Sequence, residues 1–472
     1  MHRIHRALRL LLPAALLVAV LAPVAAGPAL AGTPVATGAV RKLTGTLPDG
    51  ATYLIQVPSN WNGTLFLYSH GYVVPGAPNP AQDVGDPITG AWMLHHGYAL
   101  AGSSYVSGGW DISDALPDQI ATLDAFGQRV GTPTQTIAWG HSLGGMITAG
   151  LIQRYPSRFN GALPMCGVLS GGVATWNTAL DAAFAFQQLI DPSVSVVNIT
   201  NPGGNLLSAL TAAGKAQKTA KGRARLALSA ALADTPGWFT PLSKQPGPTD
   251  YKAQEANQFE WATQVTFPFA FELRADLEAR AGGNPSWNTG VNYFRDLLKS
   301  ADLQEVLSLY HTAGLSLNQD LAKLAAAPRV SADPAAKTYL EQNITYNGQL
   351  SMPVLTMHTV GDGLVVPENE QAYSSAVAKA HDSALLRQIY VNRAGHCAFT
   401  PAETITAAKV LLNRLSSGRW HSEALAPARM NERAAALGPK FNVFSSGGSL
   451  VATRPAFLSF TPSRYLRPFD AP

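Results

Sequence analysis

The sequence is poor in charged residues: Asp, Glu, Lys and Arg make up 14% of its 472 residues, against 46% that are hydrophobic. This composition argues against disorder, because such a chain can bury a large core. The formal net charge of +4 falls close to zero without the three arginines near the N-terminus. No basic stripe is interleaved with aromatic residues, so nucleic acid is not an expected partner.

Long uninterrupted apolar runs are also scarce, and the main one lies at the N-terminus. Residues 1–31 combine a basic start, an apolar stretch over 10–24 and the small-residue site Ala29-Leu30-Ala31. This pattern predicts a secretory signal peptide and an extracellular protein, with an uncleaved membrane anchor as the alternative. No later segment has the ~18 apolar residues of a transmembrane helix, so no membrane span is expected after signal cleavage.

A short strand, a glycine-flanked serine and a helix follow one another at residues 134–155. The apolar segment ending at Trp139 leads into Gly140-His141-Ser142-Leu143-Gly144-Gly145, and a helix begins directly afterwards. This order predicts a nucleophile elbow, in which a tight turn projects the serine hydroxyl above the sheet edge. The glycines two before and two after the serine are needed because a Cβ would collide with the turn or the helix. Ser142 is therefore the predicted nucleophile.

Two further polar residues follow predicted strands later in the chain. The apolar segment 353–358 leads to Gly361-Asp362-Gly363, and segment 385–391 leads to Gly395-His396. The order Ser, Asp, His is the one that α/β-hydrolases use, and all three would meet at the carboxyl edge of a parallel sheet. We therefore predict Asp362 as the acid and His396 as the base. The competing residues that we considered are Glu368, Glu370, Asp382, His141, His358 and His381.

Oxyanion donors and pocket residues are predicted from their positions beside the same strand ends. The amide of Leu143 begins the helix after the serine, and Gly71 or Tyr72 follows an early buried strand. Both places suit amides that receive a developing oxyanion. His70, His141 and Trp110 are candidates for lining the substrate pocket. A surface turn at His70-Gly71 and a core position for Trp110 remain the alternatives.

The sequence contains two cysteines, Cys166 and Cys397. Cys166 ends the strand after the elbow and Cys397 adjoins His396, so both lie at the same predicted sheet edge. In an exported protein such a pair can form a disulfide, which would tether the histidine loop. Two free buried thiols are the alternative.

The predicted fold class is α/β, with a mostly parallel sheet flanked by helices. We expect core segments at 41–168 and 349–416, a helical cap inserted at 169–348 after the strand that follows the nucleophile helix, and a C-terminal extension at 417–472. Ala- and Leu-rich patterns predict these cap helices: Leu206–Ala213, Ala220–Ala233, Ala253–Ala281 with a break or kink at Pro268, Tyr293–Leu309 and Leu315–Ala326.

These motifs together resemble the α/β-hydrolase superfamily, over the chain from about residue 41 to 415. Gly-His-Ser-x-Gly-Gly is common to lipases, carboxylesterases and serine peptidases of this fold. The pair His396-Cys397 is similar to that of secreted feruloyl-esterase, tannase and polyester-depolymerase relatives, in which a cysteine follows the catalytic histidine. In the tannase group the partner cysteine directly precedes the serine, whereas His141 occupies that place here.

The expected function is a secreted serine hydrolase of carboxylic esters, acting through an acyl-enzyme on a small or medium ester. No metal or organic cofactor is implied, and the sequence specifies no oligomeric state. One alternative is an exopeptidase or amidase of the same fold, in which Glu272, Arg274 or Asp276 would hold a peptide terminus. A second is a non-catalytic binding protein that keeps the fold.

Overall fold

The computed structural model describes residues 39–446 and 449–468. The predicted signal peptide, residues 1–31, lies outside this part of the chain. No helix among the described residues is long and apolar enough to cross a bilayer.

Nine of the described strands form one sheet in the order β1-β2-β4-β3-β5-β6-β7-β8-β11. Strands β3 to β8 run parallel, while β2 is antiparallel to both β1 and β4. Their bounds are β1 Val40–Thr46, β2 Thr52–Pro58, β3 Thr64–Ser69, β4 Ala99–Ser103, β5 Gln135–His141, β6 Gly161–Met165, β7 Val354–Gly361, β8 Leu386–Ala394 and β11 Phe457–Leu458.

The sheet is buried on both faces because helices cover each side. On β3, Leu65 and Leu67 pack in one hydrophobic layer, whereas Phe66 and Tyr68 pack in the other. This alternation on a continuously apolar strand is what a parallel sheet between two helical layers requires. The helices of the first half are α1 Pro87–His95, α2 Ile112–Arg129 and α3 Leu143–Arg154.

Between β6 and β7 every regular element is helical. The helices are α4 Gly172–Leu189, α5 Pro202–Ala216, α6 Ala220–Ala231, α7 Tyr251–Trp261, α8 Arg274–Ala281, α9 Tyr293–Leu297, α10 Leu303–Ala313, α11 Leu317–Ala326 and α12 Pro334–Gln342. Two π-helical turns, Ala262–Thr266 and Phe269–Leu273, join α7 to α8. They flank Pro268, whose missing N–H and bulky ring disfavour the regular α-helical pattern there.

The predicted helix Tyr293–Leu309 is wrong, because the structure divides it into α9 and α10. The amide of Ala301, between the two helices, donates to Asp234 Oδ1 rather than to a helical carbonyl. Helices α4 and α12 were not predicted. Helix α4 is buried on most sides, so its sequence lacks the amphipathic pattern on which such predictions depend.

The remaining helices are α13 Glu368–Lys379, α14 Pro401–Ser417, α15 Ser422–Leu425 and α16 Pro427–Ala435. Strands β9 Val443–Ser446 and β10 Ser449–Ala452 form a hairpin, and β11 then adds to the sheet edge beside β8. The strand order and the position of the serine after β5 define an α/β-hydrolase fold, which confirms the predicted fold class.

Candidate active site

Ser142 occupies a strained turn between β5 and α3. It has φ 59° and ψ −125°, a backbone conformation that residues other than glycine rarely adopt. A Cβ built on Gly140 would lie 2.5 Å from the carbonyl oxygen of Ser69, and one on Gly144 would collide with the same oxygen. The close approach of β3 therefore requires glycine at both positions, and the turn presents the Ser142 side chain at the end of β5.

Ser142, His396 and Asp362 form a continuous hydrogen-bonded row. The Nδ1 atom of His396 lies 2.7 Å from Asp362 Oδ2, and its Nε2 lies 2.7 Å from Ser142 Oγ. Because an ionised carboxylate can only accept, Nδ1 carries the proton and donates it to Asp362. The Nε2 atom then accepts from the Ser142 hydroxyl. The structure thus brings together the three residues predicted as nucleophile, base and acid.

Asp362 is fully buried and held in place by backbone amides. Its Oδ1 accepts hydrogen bonds from the amides of Leu364 and Val365, each at 3.0 Å. Burial alone would raise the pKa of Asp362. The charge of His396 and the hydrogen bonds from His358 and His396 outweigh burial and lower that pKa to about 2. Asp362 is therefore ionised at neutral pH.

A second histidine, His358 on β7, contacts the same carboxylate. Its Nε2 lies 2.7 Å from the Val365 carbonyl and its Nδ1 lies 3.1 Å from Glu370 Oε1. Both partners are acceptors, so the geometry suits a doubly protonated ring. Burial lowers the pKa of His358, but hydrogen bonds to Asp362 and Glu370 raise it to about 10. The sequence indicated His358 only as a rival base, and its contact with Asp362 was not predicted. The carboxyl of Glu370, twelve residues further along the chain, was the available signal.

The predicted oxyanion donors lie beside Ser142. Leu143 is the first residue of α3, where amides have no acceptor within the helix. A Cβ on Gly71 would lie 3.3 Å from Ser142 Cβ, so the backbone of Gly71 passes directly against the serine. Tyr72 is buried in the cavity wall, where its ring meets Phe269 edge to face at 5.1 Å.

His70 and His141 do not line the described cavity. His70 stacks on Tyr105, and its ring nitrogens face the carbonyls of Gly71 at 2.8 Å and Ser104 at 3.1 Å. Burial lowers the pKa of His70. His141 Nδ1 pairs with the Tyr68 hydroxyl at 3.1 Å, and burial followed by the charge of His396 lowers the pKa of His141 to about 4. Both rings therefore contact protein groups and are not pocket residues, contrary to the prediction.

A mostly apolar cavity of about 150 Å³ opens onto Ser142. Trp110, the third predicted pocket residue, lies in its wall and packs edge to face on Trp176 at 5.4 Å. Besides Ser142, Leu143 and Tyr72, the wall contains residues of α4, α6, α7 and the two π-helical turns. Residues of the inserted helices therefore enclose the serine.

The C-terminal segment also reaches this cavity, which sequence reasoning did not predict. Tyr465 lies in the wall, and its hydroxyl accepts from Thr178 on α4 at 3.1 Å. Two residues later, the buried guanidinium of Arg467 forms a 2.5 Å ion pair with Asp181. The segment is thereby fixed against the inserted helices.

Cys166 and Cys397 form a disulfide with a Cα–Cα distance of 5.4 Å. Sγ of Cys397 lies 3.3 Å from Nε2 of His396. The bond therefore ties the end of β6 to the loop that carries His396, as the sequence analysis expected.

The chain is 29% identical over 411 residues to o-phthalyl amidase of Xanthobacter agilis, covering 80% of this chain and 88% of that protein. No family model matches the sequence. The similarity to an amidase, together with the fold, supports placing the chain among the hydrolases.

Solved structures similar to this one include three esterases. Feruloyl esterase B of Aspergillus oryzae has a TM-score of 0.38 at 13% identity, covering 80% of each chain. The rice cell wall degrading esterase LipA of Xanthomonas oryzae has a TM-score of 0.37 at 15% identity, covering 79% of this chain and 89% of that one. An esterase of Pyrococcus furiosus has a TM-score of 0.38 at 9% identity, covering 84% and 97%.

Proposed function

We propose that the protein is a secreted serine hydrolase that cleaves carboxylic esters through an acyl-enzyme. The observation that carries this proposal is the row from Ser142 Oγ through His396 to Asp362, with both contacts at 2.7 Å. This is the arrangement in which a histidine can take the serine proton while a carboxylate stabilises the resulting imidazolium. The apolar cavity beside the serine suits the acyl or alcohol part of an ester.

In the proposed reaction, Ser142 Oγ attacks the ester carbonyl while its proton moves to His396 Nε2. The tetrahedral oxyanion accepts hydrogen bonds from the backbone amide of Leu143 and from that of Gly71 or Tyr72. His396 then gives its proton to the departing alkoxide, and the C–O bond to the alcohol breaks. Water attacks the acyl carbonyl while its proton moves to His396. The bond from Ser142 Oγ to the acyl carbon then breaks, Oγ takes the proton back from His396, and the carboxylic acid leaves. Asp362 keeps His396 in the required tautomer throughout.

The second candidate is an amidase with the same nucleophile. The similarity to o-phthalyl amidase favours it, and the proposed steps differ only in the leaving group, which is an amine. A terminus-binding exopeptidase has less support. Arg274 pairs with Glu278 and Asp276 pairs with Arg280, and neither these residues nor Glu272 lies in the described cavity wall.

Matched p-nitrophenyl esters and p-nitroanilides with the same acyl groups separate the two candidates. We expect kcat/KM to be higher for the esters and both activities to disappear in Ser142→Ala. Hydrolysis retained by Ser142→Ala would overturn the mechanism, and a preference for anilides would favour the amidase. A fluorophosphonate probe that failed to label Ser142 would favour the non-catalytic binding protein.

We also propose that residues 169–348 act as a cap and that residues 417–472 support it. The cavity wall, the Tyr465–Thr178 hydrogen bond and the Arg467–Asp181 ion pair support this division. Secretion is supported by the N-terminal pattern and the disulfide. N-terminal sequencing of protein from the medium tests export, with cleavage expected after Ala31.

A further inference from the structure

The cavity wall contains one carboxyl side chain, Glu255, and no Lys, Arg or His among the residues described as lining it. Glu255 lies on α7 and is 1% exposed. Its Oε2 accepts from Gln217 at 3.2 Å, whereas its Oε1 is buried without a partner among the described residues. An unpaired buried carboxylate oxygen is costly, so this group is available to a ligand that brings a donor.

Gln258, one turn further along α7, offers a second unpaired acceptor at the same wall. It is 2% exposed, and its Nε2 donates to the Thr235 carbonyl and to Glu305 Oε2, each at 3.0 Å. Both of these partners are acceptors, so the side-chain atom of Gln258 that faces them must be the donating Nε2. The Oε1 atom therefore faces away from them, and it too has no partner in the described part of the chain.

Glu255 and Gln258 line the same cavity as Ser142, on the helix that ends at Trp261. The ring of Trp261, at the end of α7, lies so close to Gly363 that a Cβ there would collide with it. Gly363 follows Asp362 directly, so this end of α7 marks the catalytic side of the cavity. Glu255 lies six residues before Trp261, or about 9 Å along the helix axis. A substrate that extends from Ser142 along the apolar wall would reach Glu255 with its far end.

The groups around Glu255 are mostly oxygen acceptors, which favours a ligand that donates hydrogen bonds. The carboxyls of buried Glu305 and half-buried Asp302 lie nearby, and each carries an oxygen without a described partner. The nearest arginine, Arg223, donates to the Gln217 carbonyl at 3.0 Å. An ammonium group supplies several N–H donors and a compensating charge, which an alkyl or carboxylate group does not.

We infer that Glu255 and Gln258 form a subsite for the ammonium group of an ω-amino acyl substrate. This inference rests on the proposed function, because it names the substrate class of the same site. The apolar wall would bind the chain, Ser142 would attack the carbonyl, and Glu255 Oε1 with Gln258 Oε1 would accept hydrogen bonds from the ammonium.

Three p-nitrophenyl esters of matched chain length test the inference by their terminal groups: 6-aminohexanoyl, heptanoyl and pimeloyl. We expect Glu255→Gln to raise KM for the amino ester by about tenfold, the scale of one charge-assisted hydrogen bond. The readout is the ratio of KM for the amino ester to KM for the heptanoyl ester, and circular dichroism checks that the variant is folded. An equal change for both esters, or a preference of the wild type for pimeloyl, would overturn the subsite.

Asp302→Asn is the matched control, because it removes a half-buried carboxyl of the same region that does not line the cavity. We expect it to keep the preference for the amino ester. If Asp302→Asn also lost that preference, the preference would depend on the carboxyls of the region in general. The proposed contact between Glu255 and the ammonium would then be wrong.

Ligand binding separates failure of the subsite from failure of the proposed chemistry. Calorimetry on Ser142→Ala, which cannot acylate, should detect hexylammonium but not hexanol, and the added change Glu255→Gln should abolish the signal. This result is required even if no ester is hydrolysed. Equal binding of both probes, or amine binding that survives Glu255→Gln, would overturn the subsite while leaving the hydrolase proposal intact.

The pH dependence of KM gives a further readout. Burial raises the pKa of Glu255 to about 7, although the hydrogen bond from Gln217 and the charge of Arg223 both lower it. Burial and the nearby Asp302 and Glu255 raise the pKa of Glu305 to about 9, so Glu305 is neutral at pH 7. KM for the amino ester should therefore fall as pH rises through 7, when Glu255 ionises, and KM for heptanoyl should not. Parallel profiles would contradict the inference.

Discussion

The Nε2 atom of His358 lies 3.6 Å from Asp362 Oδ2, the same oxygen that His396 Nδ1 contacts at 2.7 Å. The carboxylate is thus placed between two imidazole rings. His358 is in turn paired with the buried Glu370. A cation at this position favours the ionised form of Asp362, which the proposed reaction needs.

Replacing His358 with glutamine should therefore move the acid limb of the kcat/KM–pH profile to higher pH. Without the cation, burial would raise the pKa of Asp362, and activity would be lost earlier as the solution is acidified. A shift of one pKa unit moves the acid limb by about one pH unit, so kcat at a given pH on that limb should fall by up to about tenfold with little change in KM. The profile is measured from pH 7 down to the lowest pH at which the protein stays folded.

The double variant His358→Gln/Glu370→Gln is the control for a purely structural effect. It removes the unpaired carboxylate that the single variant leaves buried, so its thermal stability should recover while the shifted profile remains. An unshifted profile in both variants would contradict a role for His358 in ionising Asp362.

Asp362→Asn should leave the backbone in place but lower kcat by about four orders of magnitude. The amide can donate to Nδ1, which stabilises the wrong tautomer of His396; the comparable substitution in a serine protease has an effect of about 10⁴. Ester hydrolysis is the readout, with circular dichroism as the check on folding. Activity within tenfold of the wild type would remove Asp362 from the mechanism.

The same residue should make stability depend on pH in acid. The pKa of Asp362 is depressed to about 2 from 3.8 in the folded state, so its ionisation stabilises the fold above pH 4. That contribution should be lost between pH 4 and pH 2 and is about 2 kcal/mol. Urea unfolding of Ser142→Ala is compared with Ser142→Ala/Asp362→Asn at several pH values. The difference in the free energy of unfolding between the two variants should shrink on acidification, because the stabilisation by ionised Asp362 is lost. Other buried carboxyls affect both variants alike and cancel in this difference.

Loss of the disulfide should reduce both stability and kcat. Cys166 and Cys397 are separated by 231 residues, and bonds that close long loops typically contribute about 2–5 kcal/mol. The His396 loop would also lose its covalent attachment to β6. Thermal unfolding and esterase activity of Cys166→Ser/Cys397→Ser test this, with the wild type before and after reduction as the comparison. Non-reducing peptide mapping that found two free thiols would contradict the premise.

Removing Arg467 should destabilise the protein by about 3–5 kcal/mol, because Asp181 would remain buried without its cation. The double variant Arg467→Leu/Asp181→Leu should recover part of that loss. Urea unfolding at pH 7 gives both values. If Arg467→Leu unfolded like the wild type, the segment around Tyr465 could not be a fixed part of the cavity wall.

Local patterns in the sequence were sufficient to predict the fold class. The strands β3, β5 and β7 are recognisable because each is a short apolar run followed by a polar or glycine-rich turn. The glycines at 140 and 144 are required by close backbone approach, which makes the elbow readable without a structure. The roles of Ser142, Asp362 and His396 remain predictions until activity is measured.

Other features depend on contacts between residues far apart in the chain. Helix α4 has no amphipathic pattern because other helices surround it, and Tyr465 joins the cavity wall through a hydroxyl nearly three hundred residues from its partner Thr178. The positions of His70 and His141 were likewise undecidable from sequence. Both adjoin the site residues, yet the ring of His70 stacks on Tyr105 and the ring of His141 pairs with Tyr68.

The sequence by itself determined the succession of strand segments along the chain, the glycines of the turn at Ser142 and the polar residues that follow β7 and β8. Those properties depend on local sterics and on the burial of short apolar runs. Only the tertiary structure decided that His358 shares the Asp362 carboxylate, and it decided between the Cys166–Cys397 disulfide and the two free thiols that the sequence left open. It also decided that Glu255 and Gln258 present unpaired oxygens in one cavity wall. These relationships arise from packing the inserted helices and the C-terminal segment over the sheet, which no local pattern encodes.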